Sequence, residues 1–176
     1  DAQAEGLRGG QAARSLLHGE SVSVAEPKLL APLHVVRRFD APRERVFRAF
    51  TDPKEIPLWF GKEDSATRVV RLDLREGGGF AFRGAHEGAE FEVRGSYREV
   101  RIPERLVFTW TEKMADAQPS AESLVTVEFR DLGNTTEVAL THERDVDEKQ
   151  RRGHEGGWNL CFDRMAKLIE GKGRTV

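Results

Sequence analysis

Three residues with polar, titratable side chains fall among the apolar positions of predicted strands. Tyr97, Glu112 and His142 each alternate in phase with the apolar residues of their strand, although Glu112 lies near a strand end. Because alternate residues of a strand share a face, all three are predicted to point inward. There they could orient a ligand or act as acid or base. The alternative for Tyr97 and His142 is a core position with satisfied hydrogen bonds, or a rim position in water.

The sequence contains no local set of nucleophile, base and acid. His142 and Glu143 are adjacent on a predicted strand, so their side chains point to opposite faces and cannot act as a local pair. We therefore predict no catalytic residue from the sequence.

Metal-binding and phosphate-binding patterns are also absent from the sequence. The five histidines are scattered, without HxH, HExxH or CxxC spacing, and His154 beside Glu155 does not make a site. The glycines at 77–79 are not followed by Lys-Ser or Lys-Thr. The expectation is a protein with no metal and no cofactor. The single cysteine, Cys161, excludes a disulfide within the chain and is predicted to be a buried, unreactive thiol.

Aromatic residues from separate elements are predicted to face one interior space, between a sheet and the last helix. A packed core is one interpretation, and a ligand pocket of roughly 300–1,000 Å³ is the other. In the second interpretation one set of side chains lines the pocket: Trp59, Phe80, Phe82, Tyr97, Phe108, Trp110, His142, Trp158, Phe162 and Met165.

The elements that must position these residues follow from hydrophobic period and turn residues. A strand begins at Leu33, two short helices follow within 42–60, and about six strands occupy 67–142. Short connections make the sheet antiparallel, and such a sheet needs a cover on its apolar face. A long helix ending near Gly171 provides that cover. The predicted fold is α+β, with six or seven curved strands wrapped around this helix.

Capping patterns mark two of the helix starts. The segments 52–55 and 145–148 both have capping-box spacing, with an acidic residue three positions after an aspartate. Inside the last helix, Gly156 and Gly157 each cost about 1 kcal/mol relative to alanine. We expect them to allow close packing against a bulky neighbour such as Trp59, and a hinge that admits ligand is the alternative.

Composition limits the domain organisation and the partners. Residues 1–32 lack a sustained period and are predicted to form a flexible tail, with a short helix or partner-binding arm near 11–18 as an alternative. Residues 33–171 form one domain, and 172–176 form a second tail. A net charge of −2 does not indicate nucleic acid, and no apolar run is long enough to insert in a membrane. No secretory signal is visible, so the expected location is cytoplasmic.

Four segments resemble a known superfamily. They are DAPRERVFRAFTDPKEIPLWF (40–60), DLREGGGFAF (73–82), GSYREVRIPERLVFTW (95–110) and GHEGGWNLCFDRMAKLIE (153–170). They are similar to the SRPBCC or START-like (Bet v-like) superfamily, and most of all to bacterial proteins that resemble the C-terminal domain of the activator of a heat-shock-protein ATPase. The resemblance implies a helix-grip fold with a cavity between sheet and helix.

The resemblance does not fix a function, because one scaffold hosts many functions. The first expectation is binding of a small apolar or aromatic molecule without catalysis. The alternatives are a cyclase-like or hydrolase-like enzyme that uses His142, Tyr97 or Glu112, and a chaperone-associated stress-response protein. A homodimer is left open, and the lack of the extra domain of a eukaryotic co-chaperone argues against the chaperone role.

Overall fold

One sheet and one long helix dominate the computed structural model, which describes residues 29–145 and 147–171. The predicted helix near 11–18 and most of both predicted tails lie outside the described residues. The elements in chain order are β1 (Leu33–Phe39), α1 (Arg43–Thr51), α2 (Ile56–Trp59), β2 (Arg68–Leu72), β3 (Gly79–His86), β4 (Ala89–Arg101), β5 (Arg105–Met114), β6 (Ser123–Asp131), β7 (Thr136–Glu143) and α3 (Glu148–Glu170).

All seven strands form a single antiparallel sheet in the order β1-β7-β6-β5-β4-β3-β2. Strands β6 and β7 alternate strictly between buried and partly buried residues along most of their length, as a sheet with one covered face requires. The two short helices follow β1, and the long helix follows β7. This is the predicted helix-grip architecture.

The covering helix α3 buries the face that the sequence predicted. Its core residues include Phe162 and Met165, which are almost fully buried. Phe162 packs edge-on against Phe39 of β1 and Phe50 of α1, with ring centroids 5.9 and 6.2 Å apart. The helix ends at Gly171, whose φ of 66° is the left-handed conformation that favours glycine.

Two predicted capping boxes are wrong in detail. Helix α3 is capped by Asp147, whose side chain accepts a hydrogen bond from Gln150 N–H, while Asp145 is buried and contacts His154 instead. Asp52 Oδ1 does accept a hydrogen bond from Lys54 N–H at 2.8 Å, but helix α2 begins only after Glu55, which makes no capping hydrogen bond. The Glu55 carboxylate is engaged by two arginines of α1, Arg45 and Arg48, at 2.7 and 2.9 Å.

One glycine of the sheet is required by packing. A Cβ on Gly95 in β4 would lie 1.8 Å from the carbonyl oxygen of Thr109 and 2.7 Å from the ring of Phe80. The Phe80 ring therefore lies over the Gly95 backbone, and no side chain fits there without displacing backbone.

The last residues before β1 lie against the loop that precedes α3. Leu30 N–H donates to the carbonyl oxygen of Asp145, and Arg151 Nε donates to the carbonyl oxygen of Ala31. Leu30 and Ala31, which precede the predicted boundary at Leu33, are therefore hydrogen-bonded to the domain. None of the described helices combines the length and apolarity needed to span a bilayer.

Candidate functional site

Seven of the ten predicted pocket residues line one small space between sheet and helix. That space holds about 30 Å³, which is room for roughly one water molecule. Ring contacts such as Phe80 with Phe108, at 5.4 Å, fill the rest. Burial here raises the pKa of Tyr97 well above its ordinary value. The seven residues are Trp59, Phe80, Phe82, Tyr97, Phe108, Trp110 and Trp158.

The other three predicted residues pack beside this space. Phe162 and Met165 are buried on α3, and His142 is fully buried on β7. The ten residues thus belong to one interior, and in the described structure that interior is close to solid.

His142 has both ring nitrogens engaged. Its Nε2 lies 2.7 Å from Ser123 Oγ, and its Nδ1 accepts a hydrogen bond from Trp158 Nε1–H at 3.1 Å. Because Nδ1 accepts, the proton of the neutral ring is on Nε2. Burial and the nearby charge of His154 lower the pKa of His142 to about 3. His142 therefore stays neutral near neutral pH.

A second histidine, His154 in the first turns of α3, is held between two carboxylates. Its Nδ1 lies 2.8 Å from Asp145 Oδ1, and its Nε2 lies 3.4 Å from Glu112 Oε1. The second contact lacks hydrogen-bond geometry, so the buried Nε2 has no hydrogen-bond partner, and neither does Asp145 Oδ2. Glu112 Oε1 instead accepts from Trp110 Nε1–H at 2.8 Å.

These contacts set opposite charges on His154 and Glu112. Burial lowers the pKa of His154, but the carboxylates of Glu112 and Asp145 outweigh burial and raise it above its ordinary value. Burial raises the pKa of Glu112, but the His154 imidazolium and the Trp110 indole N–H outweigh burial and lower it. An imidazolium thus lies between two carboxylates at the sheet–helix boundary.

Three residues of this region are of the types that bind metal ions and lie close together. One potential ligand atom each from His142, Asp145 and His154 lies within 4.8 Å of the others. However, the two imidazole rings stack, with centroids 3.9 Å apart and planes inclined by 19°. A metal lies close to the plane of each imidazole that binds it, at about 2.1 Å from nitrogen, and two stacked rings direct their lone pairs along nearly parallel planes. The cluster does not fit a metal ion.

A larger cleft of about 460 Å³ lies beside this cluster, at the surface end of the aromatic core. Trp110 and Trp158 belong to both the core cavity and the cleft wall. The cleft lies between the α2–β2 segment, the end of β5 and the first half of α3. Its remaining lining residues are Phe60, Gly61, Lys62, Glu112, Arg152, Gly153, His154, Gly156, Gly157, Leu160 and Cys161.

Three glycines of α3 form the helix side of this cleft. A Cβ placed on Gly153, Gly156 or Gly157 would have no neighbouring atom within 4 Å. The prediction that Gly156 and Gly157 pack against a bulky neighbour such as Trp59 is therefore wrong. They leave space that side chains would otherwise fill. Below them, burial raises the pKa of the Cys161 thiol to about 11, which agrees with an unreactive cysteine.

The opposite wall of the cleft is fixed to α3 by one arginine. The guanidinium of Arg164 donates to the carbonyl oxygens of Leu58, Phe60, Gly61 and Lys62, at 2.5–3.4 Å. Gly61 has a φ of 82°, which turns the chain into this arrangement. Arg164 thus determines how far the α2–β2 segment stands from the glycine face.

Glu112 and His154 also separate this cleft from a second one. The second cleft, of about 450 Å³, is lined on its far side by Ser120, Ala121, Asp147, Lys149 and Gln150. Glu112, Gly153 and His154 line both. The ion pair therefore borders both clefts.

The sequence pattern indicates Glu112 but not Asp145 or His154. Asp145 matches a helix-capping pattern, and His154 with its neighbour Glu155 does not form a recognisable site motif. The available signal was the helical spacing from His154 to Trp158 and Cys161, which places the histidine on the buried face of α3.

The fold occurs in solved bacterial structures. The protein CV1439 from Chromobacterium violaceum is 26% identical, with a TM-score of 0.70, and the match covers 79% of this chain and 96% of that one. Mll3558 from Rhizobium loti is 25% identical, with a TM-score of 0.67, and the match covers 79% of this chain and 97% of that one. CalU16 from Micromonospora echinospora is 27% identical, with a TM-score of 0.59, and the match covers 78% of this chain and 75% of that one.

A comparison with curated proteins finds no match. A family model described as "Activator of Hsp90 ATPase homolog 1-like protein" matches residues 40–170, which include α1, the sheet from β2 to β7 and all of α3. The match covers the whole candidate site, from Phe60 to Arg164. The chain belongs to the Activator of Hsp90 ATPase homolog 1-like family, within the SRPBCC superfamily of helix-grip folds.

Proposed function

We propose that the protein binds a small apolar molecule in the cleft between the α2–β2 segment, the end of β5 and the glycine face of α3. The fold is consistent with a ligand-binding domain. The observation that carries the proposal is the cleft itself. Its volume of about 460 Å³ lies in the range of small-molecule sites, and its walls are mainly apolar and aromatic.

The helix side of the cleft supports this proposal. Each glycine inside a helix costs about 1 kcal/mol relative to alanine, and Gly153, Gly156 and Gly157 are not required by protein packing. Three such glycines on one face of α3 therefore lower the stability of the helix. Because they have no side chains, they also leave the cleft open.

A chaperone partner or a second copy of the chain would need a contiguous apolar surface. Among the described residues, no helix or strand contributes more than one large exposed apolar side chain; these side chains are Leu29, Val36, Leu58, Val70, Ile102, Met114, Leu132 and Leu160. No single element therefore presents an apolar face of its own to a docking partner.

The test is titration with the neutral fluorescent probe N-phenyl-1-naphthylamine. The wild-type protein should bind one probe and quench tryptophan emission, because Trp110 and Trp158 lie at the cleft wall. Gly157→Leu fills the cleft and should weaken binding at least about tenfold, which corresponds to about 1.4 kcal/mol.

The matched control is Glu155→Leu, which adds the same side chain to an exposed position of α3 that does not line the cleft. It should bind the probe like the wild type. Equal probe affinity in Gly157→Leu and Glu155→Leu would show that the cleft is not the binding site.

A further inference from the structure

We propose that the Glu112–His154 pair is a subsite for a ligand hydroxyl, so that the cleft selects neutral apolar molecules that carry an alcohol or phenol group. This rests on the proposed function and adds to it the polar group by which a ligand is recognised.

The first argument is an unsatisfied donor. His154 is 6% exposed, and its Nε2 is buried without a hydrogen-bond partner among the described residues. Its Nδ1–H is already directed at Asp145, which fixes the ring and makes Nε2 the nitrogen that faces Glu112. Glu112 compensates the charge of this ring, but its oxygen does not complete a hydrogen bond to Nε2–H, so a ligand acceptor at hydrogen-bond distance would complete it.

The second argument is the acceptor beside it. Glu112 Oε1 lies 3.4 Å from His154 Nε2, and the Glu112 side chain is 39% exposed at the end of β5. A side chain with that exposure has room to rotate. A hydroxyl placed between the two groups would accept from His154 Nε2–H and donate to the Glu112 carboxylate, so both protein groups would be satisfied at once.

Other ligand groups fit this pair less well. A ligand carboxylate would lie against Glu112, with Asp145 behind, and like charges that close repel. A ketone or ether oxygen would accept from His154 but has no proton to donate to the displaced Glu112 carboxylate. A hydroxyl is the smallest neutral group that is both donor and acceptor.

The surroundings fit an apolar body attached to that hydroxyl. Glu112 and His154 lie at one edge of the cleft, next to Trp110 and Trp158, and Gly153, Gly156 and Gly157 form a wall without side chains. A planar ring system can therefore lie along α3 while its hydroxyl reaches the pair.

The test compares three probes of the same shape: 2-naphthol, 2-methoxynaphthalene and 2-naphthoate. Calorimetry on the full chain near neutral pH should show 2-naphthol binding about tenfold more tightly than 2-methoxynaphthalene, as expected for one hydrogen bond to a charged group, with 2-naphthoate weakest. Glu112→Met should abolish the preference and leave the affinity for 2-methoxynaphthalene within about twofold.

The control is Glu143→Met, which removes a carboxylate that lines neither cleft and should retain the preference. Indole N–H resonances give a second readout. The Trp110 signal should move with 2-naphthol, because that N–H is bonded to Glu112, while the Trp59 signal, bonded to the Ala49 carbonyl oxygen, should not.

The outcomes separate the two proposals. If all three probes bind equally, or if the preference persists in Glu112→Met, the hydroxyl subsite is wrong and the cleft remains. If 2-naphthoate binds most tightly, the pair is not what selects the ligand, and the subsite is wrong. If no probe binds, the subsite and the cleft proposal fail together.

Discussion

The imidazole rings of His142 and His154 stack with their centroids 3.9 Å apart, yet they carry different charges. His142 is enclosed by neutral partners and has a pKa lowered to about 3, whereas His154 lies between Asp145 and Glu112 and has a raised pKa. The positive charge on one ring disfavours a proton on the other.

Titration of the histidine resonances should therefore give two distinct results. We expect the His154 Cε1–H signal to titrate above the ordinary histidine pKa of about 6.5, and the His142 signal to remain that of a neutral ring down to strongly acidic pH. Glu112→Gln should lower the pKa of His154, because one of its two carboxylate partners becomes neutral. Glu143→Gln should leave it unchanged, and equal shifts in both variants would contradict the assignment.

His142 should also make the protein sensitive to acid. A histidine whose folded pKa is below its unfolded pKa binds more protons in the unfolded state, so stability falls as pH drops below about 6.5. The slope expected from His142 reaches about 1.4 kcal/mol per pH unit between roughly pH 5.5 and pH 5. His154 adds almost no slope in that window, because it is protonated there in both the folded and the unfolded state.

Urea unfolding at several pH values measures this slope. In His142→Gln the slope should be much smaller, although the variant should lose about 1–3 kcal/mol near neutral pH with the Ser123 and Trp158 hydrogen bonds. An unchanged acid slope in His142→Gln would assign the acid sensitivity to other groups.

Two glycine-to-alanine substitutions should have opposite effects on stability. Gly156→Ala should stabilise the protein by about 0.5–1 kcal/mol, since the new methyl group meets no atom and the helix gains propensity. Gly95→Ala should destabilise it by several kcal/mol, because its Cβ would overlap the Thr109 carbonyl oxygen. Thermal unfolding measures both, and a destabilised Gly156→Ala would mean that the helix face is packed.

Met165→Asp should be severely destabilising, because it places an unpaired carboxylate at a fully buried position of α3. We expect a loss of more than about 4 kcal/mol, or no folded protein, by circular dichroism and urea unfolding. Asn159→Asp puts the same side chain on the exposed side of the helix and should change stability by less than about 0.5 kcal/mol. Normal stability of Met165→Asp would refute the buried face of α3.

Arg164→Lys should loosen the wall of the cleft. A single ammonium cannot reach the four carbonyl oxygens that the planar guanidinium contacts, from Leu58 to Lys62. We expect a stability loss of about 1–3 kcal/mol and weaker probe binding. Arg101→Lys, at an exposed arginine away from the cleft, should change neither by more than the measurement error. Identical behaviour of the two variants would mean that Arg164 does not position the wall.

The fold was predictable because its signals are local and periodic. The alternation along β6 and β7 and the helical spacing from Trp158 to Met165 each depend on neighbouring residues only. Burial of His142 followed from the same alternation. The sequence did not show that His142 stays neutral, because this depends also on the charge of His154 on a different element.

The candidate site was less predictable because it is made of exceptions to those patterns. Asp145 lies three residues before Glu148 and therefore matches a capping pattern. The side chain that caps the helix is that of Asp147, two residues later. Glycines in a helix indicate either close packing or open space, and the sequence alone does not distinguish the two. Only the position of α3 over β5 and β7 shows which applies at Gly156 and Gly157.

The glycine face of α3 has a consequence for how this protein can diversify. At most core positions a change in ligand preference would also change packing, so selection on the ligand would compete with selection on folding. At positions 153, 156 and 157 the two would be uncoupled if the cleft binds the ligand as proposed, since a Cβ added there meets no protein atom. Homologues could therefore acquire narrower or differently shaped clefts through substitutions at these three sites, each of which should raise rather than lower the stability of the helix.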